Sequence, residues 1–98
     1  MYIKIHEAYR KIIALSDKDL IGKTLEEGIK QIEINPNFFK GEEKNKQELI
    51  KILKKMQKED ATFNIVGKKS VQTALEAGII NESGIMKIQE VPVALVLL

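Results

Sequence analysis

A chain of 98 residues holds one domain and is too short for two independent cores. It has no cysteine, which excludes disulfides, thiolate metal sites and a cysteine nucleophile and fits a reducing, cytoplasmic setting. Its formal charge of +2 is too small to signal nucleic-acid binding by itself, and its longest apolar run, Val91 to Leu98, is broken by Pro92 and far short of the roughly 20 residues that span a bilayer.

The opening MYIKIHEAYRK alternates polar and apolar residues and has no continuous apolar stretch, so neither a secretory signal nor a membrane partner is expected. Tyr2 to Tyr9 carries the period of a half-buried strand, Ile3 and Ile5 facing one way. EAYRK is a plausible hairpin connection to a second strand, Arg10 to Leu15. Ser16 and Asp19 have capping-box spacing ahead of a single helical turn that stops at Gly22, and Thr24 and Glu27 repeat that spacing before Gly28.

Ile29 to Ile34 alternates again and ends at Asn35-Pro36-Asn37; FFKGEEKN then reads as a loop that packs its two Phe rings. From Lys46 to Glu59 the period becomes helical, with Leu49, Ile52, Leu53 and Met56 in one apolar stripe. Ala61 to Val66 reads as a strand, and Lys69 to Ala77 as a helix with Gly78 as its stop. The last strands are Ile85 to Ile88 and Val93 to Leu97, and Pro92, lacking an N–H, belongs at a strand start or edge. The expected fold class is α+β: a mixed sheet with two main helices, in the order β-β-β-α-β-α-β-β.

Gly22-Lys23-Thr24 ends like a phosphate-binding loop, but the first glycine of that motif falls on Asp17, and Gly28 and two glutamates follow where a long helix is needed. It reads as a cap-and-turn segment. His6 is the only histidine and reads as a surface or hairpin-packing residue. Asp17/Asp19 and Glu42/Glu43 lack a dense ligand loop and read as solvated turns. No catalytic constellation emerges, and no metal or cofactor is expected.

The chain resembles a family of small archaeal proteins catalogued as domain of unknown function 424. The likeness rests on LIGKTLEEG at 20–28, FFKGE at 38–42, NIVGKKSVQTALEAGII at 64–80 and VPVA at 91–94. It implies a cytosolic domain with no assigned activity and carries over no catalytic residue. It departs at Val93, where the family's Val-Pro-His-Ala block has histidine, so no role for a histidine there operates in this chain.

The informative charges are lysines. Lys51, Lys54, Lys55 and Lys58 repeat the i, i+3, i+4, i+7 spacing of the apolar stripe, offset around the helix axis, so four ammonium groups line its outer side. Such a row is also what a plain solvated face looks like. Gly67-Lys68-Lys69-Ser70 opens the next helix, where N–H groups, the Ser70 hydroxyl and the Lys68 and Lys69 ammoniums would converge as a phosphate site. With both helices on one sheet face, Lys54, Lys58, Lys68 and Lys69 would form one basic surface. Phe38, Phe39 and Phe63 are candidates for base stacking, although Phe at loop ends is more often core.

The expectation is therefore a non-enzymatic, translation-associated module that binds RNA or ribonucleoprotein. The alternative is a protein-interaction or self-associating module, a homodimer paired through the apolar C-terminal strand.

Overall fold

The computed structural model describes residues 1–97. Two antiparallel strands, β1 (Tyr2–His6) and β2 (Ile12–Ser16), form the first hairpin, and a 3-10 turn at Lys18–Leu20 leads to a second hairpin, β3 (Thr24–Glu27) and β4 (Lys30–Glu33). A four-residue helix α1 (Pro36–Phe39) and a two-residue strand β5 (Glu42–Glu43) precede helix α2 (Lys46–Lys58). Then come β6 (Thr62–Val66), helix α3 (Lys68–Ala77), a 3-10 turn at Glu82–Gly84, β7 (Ile85–Ile88) and β8 (Val91–Val96). The main sheet has six strands in the order β5-β1-β2-β6-β8-β7, and β3-β4 stand apart as a two-stranded sheet. β2 and β6 run parallel while the other neighbours are antiparallel, so the sheet is mixed and the fold is α+β.

Both faces of the sheet are covered, and this explains why β2 is buried almost throughout instead of alternating. On one face Ile3, Ile13, Leu15, Phe63, Ile65 and Ala94 pack against Leu49, Leu53 and Met56 of α2 and Val71, Ala74 and Ala77 of α3. On the other, Ala14, Val66, Ile88 and Val93 meet Leu20, Leu25, Ile34 and Phe39 from the second hairpin and the segments flanking it. Val93 is fully buried in this second cluster.

Local chemistry sets the helix ends. Asn45 and Glu48 form a reciprocal capping box at the start of α2, with Glu48 N–H donating to Asn45 Oδ1 at 2.9 Å and Asn45 N–H to Glu48 Oε1 at 3.3 Å. Gly78 ends α3 in the left-handed conformation, φ +77°, as its sequence position predicts.

Several expectations are corrected. Thr24–Glu27 is a strand, not a cap, because it pairs residue for residue with Lys30–Glu33 across Gly28 (φ +62°). FFKGEEKN contains the end of α1 and the edge strand β5, and Phe39 is buried there. The Ser16–Asp19 capping box does not form: Ser16 is buried and donates its hydroxyl to the Asp17 carbonyl at 2.9 Å.

The C-terminal strand takes an interior place in the sheet. β8 is hydrogen-bonded to β6 on one side and, as far as Ala94, to β7 on the other, so it is an interior strand of the sheet and not an edge strand. Its apolar character is that of a central strand. Pro92 fits because its carbonyl accepts from Gly67 N–H at 3.0 Å while its missing donor falls beyond Val66, where the β6 ladder stops. The outer strands are blunted: β5 is two glutamates and β7 four residues with Lys87 among them. No helix among the described residues is long and apolar enough to cross a membrane.

Candidate nucleic-acid interface

α2 places its apolar stripe on the sheet, so geometry alone turns its opposite side to solvent. Lys51, Lys54, Lys55 and Lys58 are all exposed there, and none makes an ion pair among the described residues. Between Leu49 and Lys58 the helix bears no acidic residue. From Lys51 to Lys58 the ridge runs about 10 Å along the axis. Like charges at this spacing oppose the helix by a few tenths of a kcal/mol per pair, and the burial of Leu49, Leu53 and Met56 overrides that cost many times over.

Acidic residues gather elsewhere. Glu26, Glu27 and Glu33 lie on the β3-β4 hairpin, which covers the sheet face opposite α2. The hairpin is tied to the β7-β8 turn by Gln89 N–H donating to Glu27 Oε1 at 2.7 Å and Glu26 N–H to Gln89 Oε1 at 3.3 Å, which brings Glu90 to the same side. Exposed Lys23 and Lys30 belong to the same hairpin segment, so the contrast is between an unbroken lysine row on α2 and a hairpin face of mixed charge.

The start of α3 is different from its sequence expectation. Asp17, at the end of β2, reaches across to it: Lys69 N–H donates to Oδ2 at 3.1 Å, and Ser70 donates both its N–H and its Oγ to Oδ1, at 2.8 and 2.7 Å. Ser70 is fully buried and Asp17 nearly so. The anion that the helix terminus favours is thus supplied by the chain's own carboxylate. Ser70 is removed from the anion-binding set, because its hydroxyl and N–H are already engaged. Gly67 permits the arrangement: its φ of +112° with ψ 155° suits glycine alone, and a β-carbon there would lie 2.3 Å from the Asp17 carboxyl carbon.

Lys68 and Lys69 remain exposed and unpaired among the described residues. With Met1, Lys46, Gln72 and Thr73 they line an open depression of about 510 Å³. Lys46 is held there by an ion pair with Glu76, whose carboxyl is pulled below its ordinary value by the Lys46 hydrogen bond and then by one from Gln72. Both helices lie on the same sheet face, as the single-surface expectation required. Their cations nonetheless fall into two groups. Lys58 precedes the first residue of β6, while Lys68 and Lys69 follow its last, so they flank that strand at opposite ends.

Of the Phe residues, Phe39 and Phe63 are core, and Phe38 is half-buried against His6, ring centroids 4.6 Å apart, with His6 Nε2 donating to the Phe38 carbonyl at 2.8 Å. None offers an open ring face. Gly22-Lys23-Thr24 opens the second hairpin: Gly22 N–H donates to Ile34 O at 2.8 Å and Lys23 N–H to Leu20 O at 3.0 Å, so those donors are not directed at phosphate.

Two residues escaped sequence reading. Asp17 was legible only as part of a turn, and its signal is a carboxylate directly after a buried strand. Tyr9 was legible only as part of a connection, and its signal is a lone aromatic in a polar loop.

The chain belongs to the protein family of unknown function DUF424, whose model matches residues 5–98. The fold is similar to the crystal structure of an uncharacterized conserved protein from Methanopyrus kandleri, with a TM-score of 0.84 at 22% identity, covering 96% of this chain and 87% of that one. No curated protein matches the chain.

Proposed function

We propose that this protein is a non-enzymatic module that binds RNA, alone or within ribonucleoprotein, in the cytoplasm, and that the outer face of α2 is its contact surface. One observation carries this reading: four exposed, unpaired ammonium groups in a single stripe, on a helix fixed to the sheet by its other side. Helical spacing presents them as a row of point charges suited to consecutive phosphates, and nothing in such a row distinguishes one base from another.

Binding to a fluorescent oligoribonucleotide, followed by anisotropy across a salt series, tests this. Four phosphate contacts to a single strand predict a slope of log K against log salt near about −3. Replacing Lys51, Lys54, Lys55 and Lys58 together by Gln should abolish most of the slope, while Lys68→Gln with Lys69→Gln should leave most of it. Unchanged affinity in the fourfold variant would remove the ridge from consideration.

A further inference from the structure

We propose that Tyr9 is a stacking platform for an unpaired nucleobase, which makes single-stranded RNA the preferred ligand; the inference rests on the reading of α2 as the phosphate-contacting ridge. Tyr9 sits at the tip of the β1-β2 connection, with its side chain wholly in solvent at 103% of its reference exposure. It belongs to neither core cluster.

The tip is not loose relative to the ridge. Lys11 Nζ pairs with Glu59 Oε1 at 3.1 Å, Arg10 Nη1 donates to the Asp60 carbonyl at 3.3 Å, and Thr62 N–H donates to the Lys11 carbonyl at 3.0 Å. Glu59 and Asp60 directly follow Lys58, the last lysine of the ridge. The connection is thereby fastened to the residues that directly follow α2. Tyr9, Arg10 and Lys11 together with Glu7, Glu59 and Asp60 line a recess of about 530 Å³.

The chemistry of this recess differs from that of the ridge. Glu7, Glu59 and Asp60 line it together with Arg10 and Lys11, and the hydrogen bond and charge of Glu59 already raise the pKa of Lys11, so the recess has no surplus of positive charge for phosphate. An uncharged, planar group with polar edges suits it better. A nucleobase has that character, its ring face available to Tyr9 and its amino edges to the carboxylates. Reaching the ring requires a base out of its stack, which a duplex does not offer and a single strand does.

The full chain is compared with Tyr9→Ala, Tyr9→Phe and the fourfold Lys→Gln variant on a single-stranded oligoadenylate, the same strand with abasic sites, and a duplex of equal length. Since the Tyr9 side chain is fully exposed, its replacement leaves folding intact, which thermal unfolding checks. The expected result is at least about fivefold weaker single-strand binding for Tyr9→Ala, with Phe restoring it, no change on abasic or duplex RNA, and an unaltered salt slope. Tyr9→Trp adds a direct reporter in a chain without tryptophan, its emission quenched by oligoadenylate but not by the abasic strand. If Tyr9→Ala binds the single strand like wild type while the lysine variant loses it, the stacking inference is overturned and the ridge stands. If the wild-type chain binds none of the three RNAs, both fall.

Discussion

The carboxylate of Asp17 and the buried side chain of Ser70, 53 positions apart in the chain, meet at 2.7 Å and join the end of β2 to the first turn of α3. This one contact closes a helix terminus and satisfies a buried hydroxyl.

Asp17→Ala removes a cap and leaves Ser70 Oγ and two main-chain N–H groups without their acceptor. Loss of a cap costs about 1 kcal/mol, and a stranded buried donor adds about 1–3 kcal/mol. The expected destabilisation is about 2–4 kcal/mol, read as a shift of the urea midpoint. Asp17→Asn, which keeps an acceptor at Oδ1, should cost less than half as much.

Gly67 and Gly78 bracket α3, and both have positive φ. A β-carbon at Gly78 meets open space, so Gly78→Ala should cost about 1 kcal/mol in backbone strain alone. At Gly67 it collides with the Asp17 carboxylate, and the backbone conformation is one that side chains rarely adopt. Gly67→Ala should therefore cost at least about 3 kcal/mol, and combining it with Asp17→Ala should be clearly sub-additive in equilibrium unfolding.

The Lys46–Glu76 pair links the two helices, and its contribution depends on acid. The folded pKa of Glu76 lies below its ordinary value of 4.5, so the stabilisation is fully present above that value and disappears as the pH falls through the lower, folded one. Both groups are exposed, so the effect is small and sensitive to salt. Glu76→Gln should be slightly less stable than wild type at neutral pH, and the two should converge in thermal unfolding once the medium is acidic enough to protonate Glu76 in the folded state.

The sequence made the helices readable because their signals are local. Leu49, Ile52, Leu53 and Met56 fall on one side at every turn, and Gly78 marks a stop that only glycine accommodates well. β3 and β5 were hidden because Thr24–Glu27 has Leu25 as its only apolar residue and Glu42–Glu43 has none; pairing, not pattern, makes them strands. β8 showed its apolar character but not its neighbours, since alternation within a strand is silent about strand order. On the candidate interface, the exposure of the α2 lysines followed from helical spacing. The occupation of the α3 terminus did not, because the residue that fills it comes from the end of another strand.

The parallel pairing of β2 with β6 has a kinetic consequence. Ile12 meets Thr62 only after the second hairpin and α2 have been laid down between them. The β1-β2 and β7-β8 hairpins and α2 can form from short-range encounters, whereas the central ladder must wait for a long loop to close. Refolding should therefore be limited by that late encounter, and substitutions in Ile13 or Ile65 should slow it more than substitutions at the hairpin ends.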